Sequence, residues 1–145
     1  MKISFGADYV RDFADLCEEI SASEIPDVTA RIIDVLPYVI ECEFGIDLDK
    51  QKSRSLDLLK DGLHESALIA LIPDDVQVAM TFNMARSYIF TDNSVKNPLS
   101  VYYCKSDCYA LSVLSAYLKF LADRKDFLEQ EKSPPIGRHL KLVSP

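Results

Sequence analysis

Apolar positions in this chain recur mostly at spacings of three and four, the pattern of amphipathic helices. Tyr9/Val10, Phe13, Leu16/Cys17 and Ile20 form one stripe and predict a first helix over residues 7–20. The polar stretch Ser21-Ala22-Ser23 ends it. Ser23 is suited to cap a second helix whose first turn holds Pro26 and Asp27, where a missing N–H and a negative charge are both tolerated. Ile32, Leu36, Val39/Ile40 and Phe44 supply its core face.

Residues 38–49 carry two competing signals. Pro37 cannot donate to the carbonyl of Ile33, so it should kink or end the helix. Beyond it, Ile40, Cys42, Phe44, Ile46 and Leu48 alternate with Glu41, Glu43, Gly45, Asp47 and Asp49, a strand pattern. The other reading continues a kinked helix to Phe44, with Gly45 as a left-handed C-cap. The helix is favoured, because the only evident partner strand is Lys2–Phe5.

A third helix is expected over about residues 50–71, with Leu56, Leu59, Leu63 and Ala67 on one face joined by Leu68 and Leu71. Gly62 inside it points to close helix packing. Pro73-Asp74-Asp75 then signals a fourth helix, 74–90. That segment is apolar on two faces, Val76/Met80/Met84 and Val78/Phe82/Ile89, which marks it as the central one. Residues 91–94 read as a turn, and Asn97-Pro98 opens a short helix or strand containing Val101, Tyr102 and Tyr103. Ser106 or Asp107 caps a last helix, 107–131, with core positions Ala110, Val113, Tyr117, Phe120 and Leu121.

The expected fold is therefore all-α, a compact bundle of about five helices forming a single domain over 1–131, with 132–145 as a basic C-terminal tail. The alternative is α+β, with a short strand at 38–49 pairing with 2–5. A length of 145 residues and an apolar fraction of 48% allow a core without metal or disulfide staples. The opening MKISFGADYVRDF lacks the apolar centre of a signal peptide, and no run approaches a membrane span. A cytoplasmic location is expected, with Cys17, Cys42, Cys104 and Cys108 reduced.

Charge changes this picture most. Residues 1–49 hold 12 acids against Lys2, Arg11 and Arg31, while 50–145 hold 11 acids against 13 bases, together giving the net −7. Such a chain gains nothing by approaching nucleic acid or an anionic membrane, and neither is expected as a partner. Asp8, Asp12, Asp15 and Glu19 follow at spacings of four, three and four, which places them on one helical face opposite Phe13 and Ile20. Like charges at that spacing cost a helix a few tenths of a kcal/mol per pair. Only Arg11 relieves them, so helix stability does not account for the stripe. Glu41, Glu43, Asp47 and Asp49 repeat the theme in the next element.

Recognised catalytic motifs are absent: there is no Gly-rich phosphate loop, H-E-x-x-H or G-x-S-x-G. Asp47 and Asp49 lack the Gly and distal Glu of a calcium loop. No cofactor and no enzymatic activity are expected. His64, beside Glu65, and His139 are the only histidines, and Cys104/Cys108 form a C-x3-C pair that could join His64 in a small helical enzyme or metal sensor. The aromatic residues Tyr102, Tyr103, Tyr109 and Tyr117 have no basic neighbourhood suited to stacking nucleic acid.

The expectation carried forward is an acidic protein-binding module. Its contact candidates are Asp8, Asp12, Asp15, Glu19, Glu41, Glu43, Asp47 and Asp49. In size and composition the chain is similar to bacterial immunity proteins, small acidic proteins that neutralise toxic nucleases. That similarity implies a basic protein partner whose phosphate-binding site is covered by an acidic surface. A homo-oligomeric scaffold using exposed Tyr and Leu is the remaining alternative.

Overall fold

The computed structural model describes residues 6–82, 86–91, 101–104 and 108–132. Among these residues five helices, α1 (Ala7–Glu19), α2 (Ile25–Phe44), α3 (Asp49–Lys60), α4 (His64–Ile69) and α5 (Tyr109–Lys132), make a mostly helical bundle. With them is a small antiparallel sheet, β1 (Gln77–Phe82), β2 (Arg86–Thr91) and β3 (Val101–Cys104), in the order β1-β2-β3. The expected bundle is present, and β pairing enters it at 77–104 rather than at 38–49.

The junction between α1 and α2 is set by local chemistry. The Glu24 carboxylate accepts the Ser21 N–H at 3.1 Å and the Ser21 hydroxyl at 2.8 Å, closing one 3-10 turn over Ala22–Glu24. The capping residue is thus Ser21, not Ser23, because the turn precedes the helix proper. α2 then begins at Ile25 with Pro26 in its first turn and runs through Pro37 to Phe44. Gly45 ends it in the left-handed region at φ 69°, its N–H donating to the Glu41 carbonyl at 2.9 Å. The strand reading of 38–49 is overturned, since residues 38–44 are helical, and its proposed partner at 2–5 lies outside the described residues.

The expected helix over 50–71 is two helices. Gly62 adopts φ 76°, and an added Cβ there would meet no atom within 4 Å. Backbone conformation, not close packing, is the reason for that glycine. The break turns the face, so that Ser55 is buried and donates its hydroxyl to the Ala67 carbonyl at 2.7 Å, while Leu56 and Leu63 are exposed.

The helix expected over 74–90 is instead the β1–β2 hairpin, paired from Gln77↔Thr91 to Phe82↔Arg86. Val78, Met80 and Phe82, then Tyr88 and Phe90, also alternate at period two, and that period prevails. The inner face of the sheet packs on α5. Phe90, Phe120, Tyr117 and Tyr102 make a ring cluster with Phe90–Phe120 centroids 5.4 Å apart, and the buried Tyr88 hydroxyl meets Ser112 Oγ at 2.6 Å.

Central position therefore belongs to α5. From Ala110 to Ala122 every residue except Lys119 is buried, including the five expected core positions. Residues 83–85, 92–100, 105–107 and 133–145 are outside the described set, and with them fall the turn at 92–94, the Asn97-Pro98 start, the Ser106/Asp107 cap and nearly all of the tail. Among the described residues, no helix is long and apolar enough to cross a membrane.

Candidate interaction surface

Three stripes run along α1. Val10, Ala14 and Cys17 are buried, and the helix packs chiefly against α5. Asp8, Asp12, Asp15 and Glu19 are all exposed, within about 60° of arc at 3.6 residues per turn. Between these two stripes on one side lie Tyr9, Phe13, Leu16 and Ile20, of which Leu16 is 60% exposed. The single broad apolar stripe read from the sequence is therefore divided: half goes inward and half toward solvent.

α2 repeats the arrangement. Ile33, Leu36, Val39 and Ile40 are buried, whereas Asp27, Asp34 and Glu41 lie at intervals of seven on its exposed side. Between the apolar flank of α1 and the facing side of α2 is a groove of about 520 Å³, lined by Phe13, Leu16, Ile20, Val28, Ile32 and Val35. Glu19 and Glu24 lie at its wall, and Arg31 lines it as well. The sequence reading placed Asp27 only as a first-turn acid and passed over Asp34, although their spacing from Glu41 was legible.

Several acids have internal work. Glu43 is the main correction: its side chain has no exposed surface, pairs with Lys125 of α5, and accepts the Gly6 N–H at 2.8 Å. It faces the core side of α2 because that helix continues past Pro37, and so it is no contact candidate. Arg11 reaches Asp8 at 3.0 Å, Asp123 at 2.8 Å and Asp126 at 2.6 Å. These carboxylates hold its guanidinium well above the ordinary arginine range, Asp123 most strongly. Lys119 sits 3.3 Å from Glu18 and 3.7 Å from Asp15.

Asp12, Glu19 and Glu41 are exposed and make no ion pair among the described residues. Asp47 and Asp49 are also exposed, but Asp47 Oδ1 accepts the Asp49 N–H at 2.9 Å and so organises the entry to α3. The four acids of α1 share one face as expected. Glu41 joins Asp27 and Asp34 instead of Glu43, and Asp47 and Asp49 form a separate local turn.

A second cavity, of about 440 Å³, is lined by Ile25, Pro26, Gly62, His64, Glu65 and Cys108 among others. There the Cys108 thiol donates to Glu65 Oε1 at 3.0 Å, and burial together with that carboxylate raises its pKa. Cys104 does not line this cavity. It lies against Glu18 and Ser115, and burial pushes its thiol up to about 12. Among the described residues, no three His, Cys, Asp or Glu side chains are grouped so as to hold a metal ion. His139 is outside the described residues.

Comparison with protein-family models finds none that matches this chain, and comparisons with curated proteins and with solved structures find no match either.

Proposed function

We propose that this chain is a protein-binding module whose acidic α1 face docks on a basic protein, in the manner of an immunity-type inhibitor covering the phosphate-binding site of a nuclease-like toxin. The observation that carries this reading is the exposure of Asp8, Asp12, Asp15 and Glu19 on a single face of one helix. Their mutual repulsion serves no internal contact at Asp12 and Glu19, and a basic partner would relieve it.

The test is affinity capture at low salt from the native organism, with wild type beside an Asp12→Lys/Glu19→Lys variant. Those two positions leave the Arg11 and Lys119 ion pairs intact. Wild type should retain a basic protein whose capture falls as ionic strength rises, and the variant should lose it. Unchanged capture with unchanged salt dependence would make the reading wrong.

A second reading, a small enzyme or metal sensor, has one observation in its favour: His64, Glu65 and Cys108 line one cavity. It needs Cys104 as well, which faces elsewhere, and it needs a thiolate where the surroundings hold Cys108 as a thiol. Metal analysis of untagged protein separates the two readings, since a stoichiometric metal would favour the second. Sedimentation at two salt concentrations tests the oligomeric scaffold, whose apolar interface would survive high salt.

A further inference from the structure

We infer that the partner presents a basic amphipathic helix, seated with its apolar face in the α1–α2 groove and its lysines or arginines over the acids on either side. This rests on the acidic-face reading and specifies what that face receives. Ile32 is buried at the floor of the groove, Phe13, Ile20 and Val28 are partly buried against the core, and Leu16 and Val35 stand exposed at it, 60% and 37% respectively. An apolar channel of about 520 Å³ is a surface that water covers poorly.

Charge identifies the occupant. Glu19 and Glu24 line the groove together with Arg31. Farther out, exposed Asp12 and Asp15 lie on α1, and Asp27, Glu41 and Asp34, the last paired with Lys52 at 3.6 Å, lie on α2, so acids outnumber the lining arginine. A peptide helix with one apolar stripe and basic residues flanking it matches apolar floor and acidic margins together. Length agrees: α1 has 13 residues, or about 20 Å of helix, which a partner helix of about four turns would span. A polybasic coil would satisfy the acids and leave the groove wet. A neutral apolar helix would fill the groove and leave the acids repelling one another.

The experiment uses fluorescence anisotropy with a labelled, helical Leu/Lys peptide of about 14 residues having one apolar face. A shuffled peptide of the same composition, with no such face, is the control. Three proteins are compared: wild type, Leu16→Ser/Val35→Ser, and Asp12→Lys/Glu19→Lys, each checked for an unchanged helical spectrum and thermal midpoint. Wild type should bind the amphipathic peptide at least about ten-fold more tightly than the shuffled one, and the serine variant should lose about ten-fold or more.

Equal binding of both peptides, no binding by wild type, or an unaffected serine variant overturns the groove. If wild type binds both peptides equally or the serine variant is unaffected, and the lysine variant still loses binding, the acidic-face reading stands without the groove. Full binding by the lysine variant would instead remove the acidic reading while the groove survived, and with it the basic character assigned to the partner. A wild-type dimer that the serine substitutions dissociate would assign the groove to a second copy and overturn the proposal.

Discussion

Glu43 on α2 and Lys125 on α5 close on one another across 82 residues of sequence, with the carboxylate wholly out of solvent. The Gly6 N–H also donates to this carboxylate, so three separated segments meet at one buried charge. Taking the ammonium away from a carboxylate buried this way costs up to about 3–5 kcal/mol. Lys125→Met, which leaves the carboxylate buried, should therefore lower the urea midpoint sharply, and Glu43→Leu/Lys125→Met should recover much of the loss. A double variant whose loss equals the sum of the Glu43→Leu and Lys125→Met losses would show that the pair is not coupled.

The exposed stripe should behave in the opposite way. Asp12→Asn/Glu19→Gln removes like-charge repulsion without touching an ion pair, and should raise stability by a few tenths of a kcal/mol at low salt. The gain should vanish at about 1 M salt, where screening operates within a few ångströms. Thermal melts at the two ionic strengths check this, and a destabilised variant would mean the acids support the fold.

Thiol chemistry offers a pH test. Burial pushes Cys17 and Cys104 up to about 12 from an ordinary value of 9.0. Both are neutral below pH 9 in either state, so the fold is unaffected there. Above 9 the unfolded chain ionises while the native thiols stay protonated, so the native state binds more protons and stability falls as pH rises. The decline should reach about 1.4 kcal/mol per pH unit for each thiol and level off near the native values. Cys17→Ala should remove that thiol's share and leave the share of Cys104, and native protein at pH 8 should react slowly with a thiol reagent at both positions.

Truncation in the ring cluster should be costly. Phe90 is fully buried and touches Phe120, Tyr102 and Tyr117, so Phe90→Ala should cost about 3–5 kcal/mol. Tyr88→Phe strands the Ser112 hydroxyl and should cost about 1–2 kcal/mol. Chemical unfolding of both variants tests whether the small sheet belongs to the same cooperative unit as α5.

Legibility in the sequence varied with how local the cause was. α1, α2 and the Gly45 cap were readable because periodicity and one left-handed residue specify them. The hairpin was not, because Val76, Met80 and Met84 also satisfy a spacing of four, and the choice between periods is made by packing on α5. Centrality was assigned to the wrong segment for a related reason. Ala110, Ser112, Ser115, Ala116 and Ala122 are all buried, yet small and hydroxyl side chains give little hydrophobic signal. At the surface, four acids of α1 could be placed by spacing alone. Glu43 could not, because nothing near it in sequence foretells Lys125.

Lys119 holds two counter-ions of unequal exposure, Glu18 at 3.3 Å and the more open Asp15 at 3.7 Å. An incoming guanidinium or ammonium can draw Asp15 away while Glu18 keeps Lys119 neutralised. A cation arriving from outside would thus take Lys119's place at Asp15 with Lys119 still neutralised by Glu18, and the exchange would leave neither charge bare.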